Sequence, residues 1–297
     1  MTPPPRGRRR SSSEAPFPDL GPVGEAIPIT TGSAELVVES DGSVLLLVNG
    51  VPSSHLDPDP EHLVFEYMRW MRTAMRCWAA ERRAGDGKDG DGSPRRGLEL
   101  AVAHLGGAGC ALPRTLAHDW PRARQIVVEL DALLAEHVRT WFSLPRSPQL
   151  RIRVDDAAHA LADWRKDRFD VLTRDVFAGD RTPSSLTSVA AARHARRVLT
   201  ADGLYLANCA SRPGSRLLAD ELTTLSSVFA HVGAIAEPAH LKGRRRGNCV
   251  LLASDVPLPA SLDRALRSDP VAVRLAAGED AARIAAPGTV LEGAAQG

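Results

Sequence analysis

The sequence predicts an α/β protein: a doubly wound, mainly parallel sheet that ends in an antiparallel hairpin, with a small β-rich domain ahead of it. Three observations predict this. From residue 98 onward, short apolar runs alternate with helical segments, as in βα units laid into a parallel sheet. A glycine cluster, Gly106, Gly107 and Gly109, stands where the first of those strands hands over to a helix. Near the end, residues 232–236 and 249–253 are apolar runs joined by Lys242-Gly243-Arg244-Arg245-Arg246-Gly247, so an antiparallel pair without a helix is expected at the sheet edge.

The 297 residues suffice for one large α/β domain with a smaller companion. Hydrophobic residues make up 43% and charged ones 25%, an ordinary globular balance. Lys+Arg 37 against Asp+Glu 36 leaves a net charge of +1, which argues against general binding to nucleic acid or an acidic membrane. No apolar run approaches the roughly 20 residues of a membrane span. Cys77, Cys110, Cys209 and Cys249 lack metal-ligand spacing, so no metal is expected. They read as reduced thiols in a cytoplasmic protein.

Residues 1–28 read as a disordered tail. Prolines, Arg6, Arg8, Arg9, Arg10 and three serines supply little to bury, and no apolar stretch follows the arginines as a secretory signal would need. Residues 29–84 form the small β-rich domain plus a connecting helix. Runs at 34–38 and 44–48 flank the turn Ser40-Asp41-Gly42, and a second turn follows at Asn49-Gly50. Residues 62–83 carry Leu63, Met68, Met71, Met75 and Trp78 at helical spacing. A flexible loop is expected over 85–97. The main domain, 98–256, places strands at 98–105, 126–130, 150–154, 169–173 and 204–208. Helices fall near 131–142, 157–164, 186–199 and 214–230. The hairpin ending suits Rossmann-like sheets of the methyltransferase type better than those of dehydrogenases. Residues 257–297 are Ala-rich and expected to be loosely ordered.

Acidic residues at successive strand ends carry the chemistry. Glu129 lies about 20 residues after the glycine turn, the spacing of a carboxylate that grips a ribose through two hydrogen bonds. Asp131 reads as a helix N-cap. Asp155 and Asp156 follow the next strand, where one can accept from an adenine amino group while the other caps a helix. Asp175 ends the strand after that, placed to orient or deprotonate a nucleophile.

In order and spacing these motifs resemble the spermidine synthase family, the polyamine aminopropyltransferases, over about residues 32–253. Leu47-Val48-Asn49-Gly50-Val51-Pro52-Ser53-Ser54 is similar to the family's Leu-x-Asp-Gly-x-x-Gln stretch. Leu105-Gly106-Gly107-Ala108-Gly109 and Val127-Val128-Glu129-Leu130-Asp131 resemble its Gly-Gly-Gly-x-Gly and Val-Glu-Ile-Asp motifs. Asp155-Asp156-Ala157 stands where the family has Gly-Asp-Gly or Gly-Asp-Ala, and Phe169-Asp170-Val171-Leu172-Thr173-Arg174-Asp175 where it has Tyr-Asp-Val-Ile-x-x-Asp. The resemblance implies a site for decarboxylated S-adenosylmethionine between the two domains. Glu129 would hold the ribose, Asp156 and Asp155 the adenine, and Asp175 would take the proton of the attacking amine. A homodimer is implied as well.

The acceptor side departs from the family. Its Asp-Ser-Ser-Asp-Pro loop is here Asp175-Val176-Phe177-Ala178-Gly179, so Ala178 replaces the aspartate that would hold a cationic amine. Ser53 replaces a glutamine, Asn49 an aspartate, and Phe65-Glu66-Tyr67-Met68 stands for Tyr-His-Glu-Met. Ser53, Tyr67 and Asp180 are the candidate acceptor-binding residues, and Arg174 and Arg181 are expected to make the loop hostile to a diamine. Three functions fit: aminopropyl transfer to an amine other than putrescine, methyl transfer from S-adenosylmethionine, or a degenerate homologue that only binds. The small-molecule partner in each active case is a nucleoside sulfonium or thioether. The basic run 242–247 has no aromatic residue among its charges and is expected to be an exposed turn, with no nucleic acid or membrane partner.

Overall fold

A computed structural model of the chain describes residues 17–85, 99–179 and 181–293. The loop expected over 85–97 lies, apart from Gly85, outside the described residues, and so does Asp180. The first sheet is antiparallel in the order β1 (Ile27–Ile29), β2 (Gly32–Val38), β3 (Val44–Val48), β4 (Val51–Leu56). Alternation sets its inner face: Ala34, Leu36, Val44, Leu46 and Leu56 are buried. The Asp41 carboxylate closes the first hairpin by accepting from the Ser43 amide and hydroxyl. Asn49 and Gly50, both at positive φ, close the second.

Order begins earlier than expected. Phe17 is buried, edge-on to Phe142 at 5.2 Å and beneath the Arg114 guanidinium. One aromatic residue anchors a segment whose composition otherwise reads as tail. Helix α1 (Glu66–Gly85) then buries Tyr67, Trp70, Met71, Met75 and Trp78. It starts four residues later than its apolar rhythm, because Asp57-Pro58-Asp59-Pro60 and the following turn hold the chain extended up to that point.

The main domain runs β5 (Ala101–Leu105), α2 (Ala111–Asp119), β6 (Arg124–Glu129), α3 (Ala132–Trp141), β7 (Leu150–Val154), α4 (Ala157–Asp163), β8 (Phe169–Arg174) and α5 (Ser184–Thr187). It continues through α6 (Val189–Val198), β9 (Leu199–Ser211), α7 (Leu217–Ser226), β10 (His231–Ala236), α8 (Pro238–Leu241) and β11 (Gly247–Ser254). Then come α9 (Leu262–Leu266), β12 (Arg274–Ala277) and α10 (Glu279–Ala285). The strand order is β12-β10-β11-β9-β8-β5-β6-β7, with β7, β6, β5, β8 and β9 parallel. The chain leaves β5 toward β7 and returns to β8 on the other side of β5. That reversal opens a crevice at the carboxyl ends of β5 and β8. Buried His104, held by Thr173 and Gln125, ties the three strands together. Burial lowers its pKa to about 4, so the imidazole is neutral.

Two expectations are corrected at the C-terminus. β10 and β11 do pair antiparallel, but α8 interrupts their connection and β12, not the hairpin, forms the edge. The segment 258–293 is ordered: Leu262 and Leu266 are buried where α9 meets α1, and α10 packs on α7. Small alanines bury against neighbours without the strong apolar rhythm by which helices are read from sequence. The basic run 242–246 is exposed, with Arg245 paired to Glu237.

Candidate functional site

The glycine turn after β5 is the hinge of the crevice. Gly106 has φ +87°, and a Cβ on it would lie 2.1 Å from the Asp175 carbonyl oxygen, so the ends of β5 and β8 meet only because the side chain is absent. At Gly109 a Cβ would strike Ser54 and Leu56 of β4, which closes the first sheet onto the turn. The glycines are thus filled by protein. The turn's amides are also taken: Gly106 donates to the Val128 carbonyl, Gly107 and Ala108 to one Glu129 oxygen at 3.3 and 2.8 Å, Gly109 to Ser54 Oγ at 2.9 Å, and Cys110 to the Gly107 carbonyl. A dinucleotide turn uses such amides to grip pyrophosphate. This one offers none, which favours a nucleoside without phosphate.

The other Glu129 oxygen accepts from the Asp131 amide at 3.1 Å. Asp131 caps α3 through the Leu134 amide, as expected, and also accepts from the Thr30 and Thr31 amides and the Thr31 hydroxyl. It therefore clamps the β1–β2 turn to the main domain. These donors outweigh the cost of burial and hold its pKa below the usual carboxylate value. Asp155 follows β7, its amide bonded to the Glu129 carbonyl; its carboxylate pairs with Arg153 at 2.5 Å and with His159. Asp156 caps α4 through the His159 amide. Leu130 and Val154, 61% and 52% exposed, are apolar ledges beside these acids.

On the other side of the turn, Asp175 is half-buried and accepts from the Tyr67 hydroxyl at 2.8 Å and the Asn208 side-chain amide at 3.0 Å. Burial raises its pKa in spite of these donors and of the Arg174 charge nearby. Burial and the Asp175 charge push the Tyr67 hydroxyl well above its ordinary value. Asn208 Oδ1 is buried without a hydrogen-bond partner. A donor arriving from a ligand would satisfy it.

Gly106, Gly107, Gly109, Glu129, Asp155, Tyr67 and Asp175 form one chain of contacts, with Asp156 beside it. Ser53 donates to its own hairpin carbonyl at Val51, while Ser54, one position on and facing the other way, reaches the turn. One sequence expectation fails here. Arg174 does not face the acceptor loop. It is buried against Glu221 at 2.7 Å and donates to the Leu186 and Asn208 carbonyls, because its strand position points it under the sheet. Its charge is neutralised and it steadies the strand that carries Asn208. Ser54 and Asn208 were missed in the sequence. The signal for Asn208 was a lone amide in the apolar run 204–209.

No family model matches the chain. Among solved structures it is similar to a probable spermidine synthase from Corynebacterium glutamicum, at 35% identity and TM-score 0.82, covering 93% of this chain and 98% of that one. It is 26% identical over 162 residues to the polyamine aminopropyltransferase of Vibrio vulnificus, a match to 54% of this chain and 51% of the relative, so it spans about half that curated protein's length. Human methyltransferase-like protein 13, solved with SAH, shares the fold at 19% identity and TM-score 0.51, covering 69% of this chain and 94% of that one.

Proposed function

The chain belongs to the spermidine synthase family, and from that premise we propose that it moves an aminopropyl group from decarboxylated S-adenosylmethionine to an amine other than putrescine. The observation that carries this is the hydrogen-bonded cluster of Asp175, Tyr67 and Asn208. It offers one carboxylate of raised pKa and one unpartnered buried oxygen, the complement of an amine's N–H groups. On the nucleoside side the residues fit an adenosine moiety: Glu129 for the ribose hydroxyls, the Leu130 and Val154 ledges for the base, and Asp156 for its amino group.

The co-substrate supplies a carbon activated by its sulfonium. Tyr67 and Asn208 hold the Asp175 carboxylate in place, and Asp175 takes the amine's proton as the C–N bond forms. The C–S electron pair leaves with sulfur, giving the neutral thioether 5′-methylthioadenosine. Ala178 is exposed where the family carries a second carboxylate, and its amide bonds the Arg181 carbonyl in a tight turn. A second cation therefore finds no carboxylate at position 178, which favours an acceptor with a neutral far end.

A thermal-shift panel of 5′-methylthioadenosine, S-adenosylmethionine and its decarboxylated form, followed by turnover with mono- and diamines, tests this. The decarboxylated donor and the thioether should stabilise the protein, and a monoamine should outperform putrescine by about ten- to a hundredfold. Ala178→Asp should raise putrescine use. Methyl transfer from S-adenosylmethionine would establish the methyltransferase reading instead, and no nucleoside binding the degenerate one. A kcat/KM for putrescine of about 10⁴ M⁻¹s⁻¹ or more would refute the acceptor assignment.

A further inference from the structure

The far edge of the main sheet carries a concentration of cations, of which Arg153 alone pairs with a residue named above in the crevice, Asp155. Arg151 and Arg153 alternate along the edge strand β7, so both project from one face. With Arg168, Ile126 and Trp164 they line a hollow of about 170 Å³. A second hollow of about 510 Å³, lined by Arg165, Lys166, Asp167 and Arg168, shares Arg168 with the first. The cluster runs along β7 to the amino end of β8; Arg153 touches the crevice side through Asp155, whereas Arg165, Lys166 and Arg168 lie at the opposite end of the strands.

Its charges are only partly compensated. Arg153 pairs with Asp155 and, at 3.5 Å, with Asp163; Lys166 stands 3.8 Å from Asp167. Among the described residues, Arg151 and Arg165 have no ion-pair partner. Burial and then the neighbouring charges of Arg153, Arg165 and Arg151 pull the Arg168 guanidinium below its ordinary pKa. Charged edges also discourage strand-to-strand aggregation, but that needs no hollow lined by several cations.

We infer that this edge binds a small anion of two or more linked phosphates. Guanidinium forks match phosphate oxygens in pairs, and two neighbouring hollows that both have Arg168 in their lining suit linked groups better than a single one. A nucleic-acid strand fits poorly, because Trp164 is buried against Phe169 and no exposed ring among the lining residues offers a base a stacking face.

Calorimetry on the full chain with tripolyphosphate, orthophosphate and ATP at low salt tests the site. Tripolyphosphate should bind saturably and more tightly than orthophosphate, with affinity falling as salt rises. ATP binding more tightly than tripolyphosphate would identify the source of the phosphates as a nucleotide, and equal binding would identify the phosphate chain alone. The double variant Arg151→Gln/Arg165→Gln, shown by melting to be folded, should weaken tripolyphosphate binding by about tenfold or more. No saturation at about 1 mM tripolyphosphate in about 50 mM salt would overturn the proposal. So would unchanged affinity in the double variant, or tighter binding of single-stranded RNA at matched phosphate.

Discussion

On the nucleoside half of the crevice, Glu129, Asp155 and Asp156 accept hydrogen bonds from nearby turns and strand ends, mostly through backbone amides. On the acceptor half, Asp175 is held by two side chains from other elements, Tyr67 on α1 and Asn208 on β9. The first arrangement keeps its carboxylates near solvent. The second buries a carboxylate, raises its pKa and leaves an oxygen of its partner unsatisfied. The proposed binding half is thus built locally, and the proposed proton-accepting half is assembled from a distance.

The largest expected effect separates the two halves. Asp175→Asn should lower turnover by about 10²–10⁴, the range for losing a general base, while 5′-methylthioadenosine affinity stays unchanged by calorimetry. Loss of both together would show that the halves are not independent. The same variant should melt at a higher temperature near neutral pH. A carboxyl whose folded pKa is raised contributes stability below its unfolded value, and that contribution is lost as pH rises through the folded pKa. Asparagine removes the charge that causes the loss.

Next comes Glu129→Ala, which should weaken 5′-methylthioadenosine binding by about 1.5–3 kcal/mol, the range for hydrogen bonds to a charged group. Unchanged affinity would break the nucleoside half of the comparison. Asp131→Ala should cost about 1–2 kcal/mol in denaturant unfolding, since a helix cap and the sheet clamp go together. Its sign with pH is opposite to that of Asp175. The depressed pKa of Asp131 gives stability above the unfolded value that disappears as pH falls through the folded one. The wild-type minus variant difference in acid unfolding should shrink accordingly.

The smallest effect sharpens the acceptor half. Tyr67→Phe removes a donor to the Asp175 carboxylate, so turnover should drop by about three- to tenfold. The acid limb of the pH–rate profile should move to higher pH. A drop with no movement of that limb would leave Tyr67 a packing residue.

The difference between the halves also explains what could be read in advance. Gly106, Glu129, Asp131, Asp156 and Asp175 sit at strand ends, where an apolar run followed by a polar residue marks the element and where it stops. The parallel sheet was legible for the same reason. The contact of Ser54 with the turn is not legible in the sequence because a one-residue slip on a strand reverses the facing, and β3 and β4 carry a register shift between Leu46 and Leu47. Asn208 depends on β9 lying beside β8, a pairing no local spacing reveals. Phe17 and the strand and helices after 257 are ordered by tertiary burial, which composition does not display.

Asp131 has a consequence for rebuilding the molecule. Its carboxylate belongs to the main domain, yet it holds the turn between the first two strands of the other sheet. The seam between these modules therefore runs through a side chain rather than a linker. A chimera that takes its first sheet from a relative must bring donors that match Thr30 and Thr31, or it strands an anion at the joint one residue from the crevice wall.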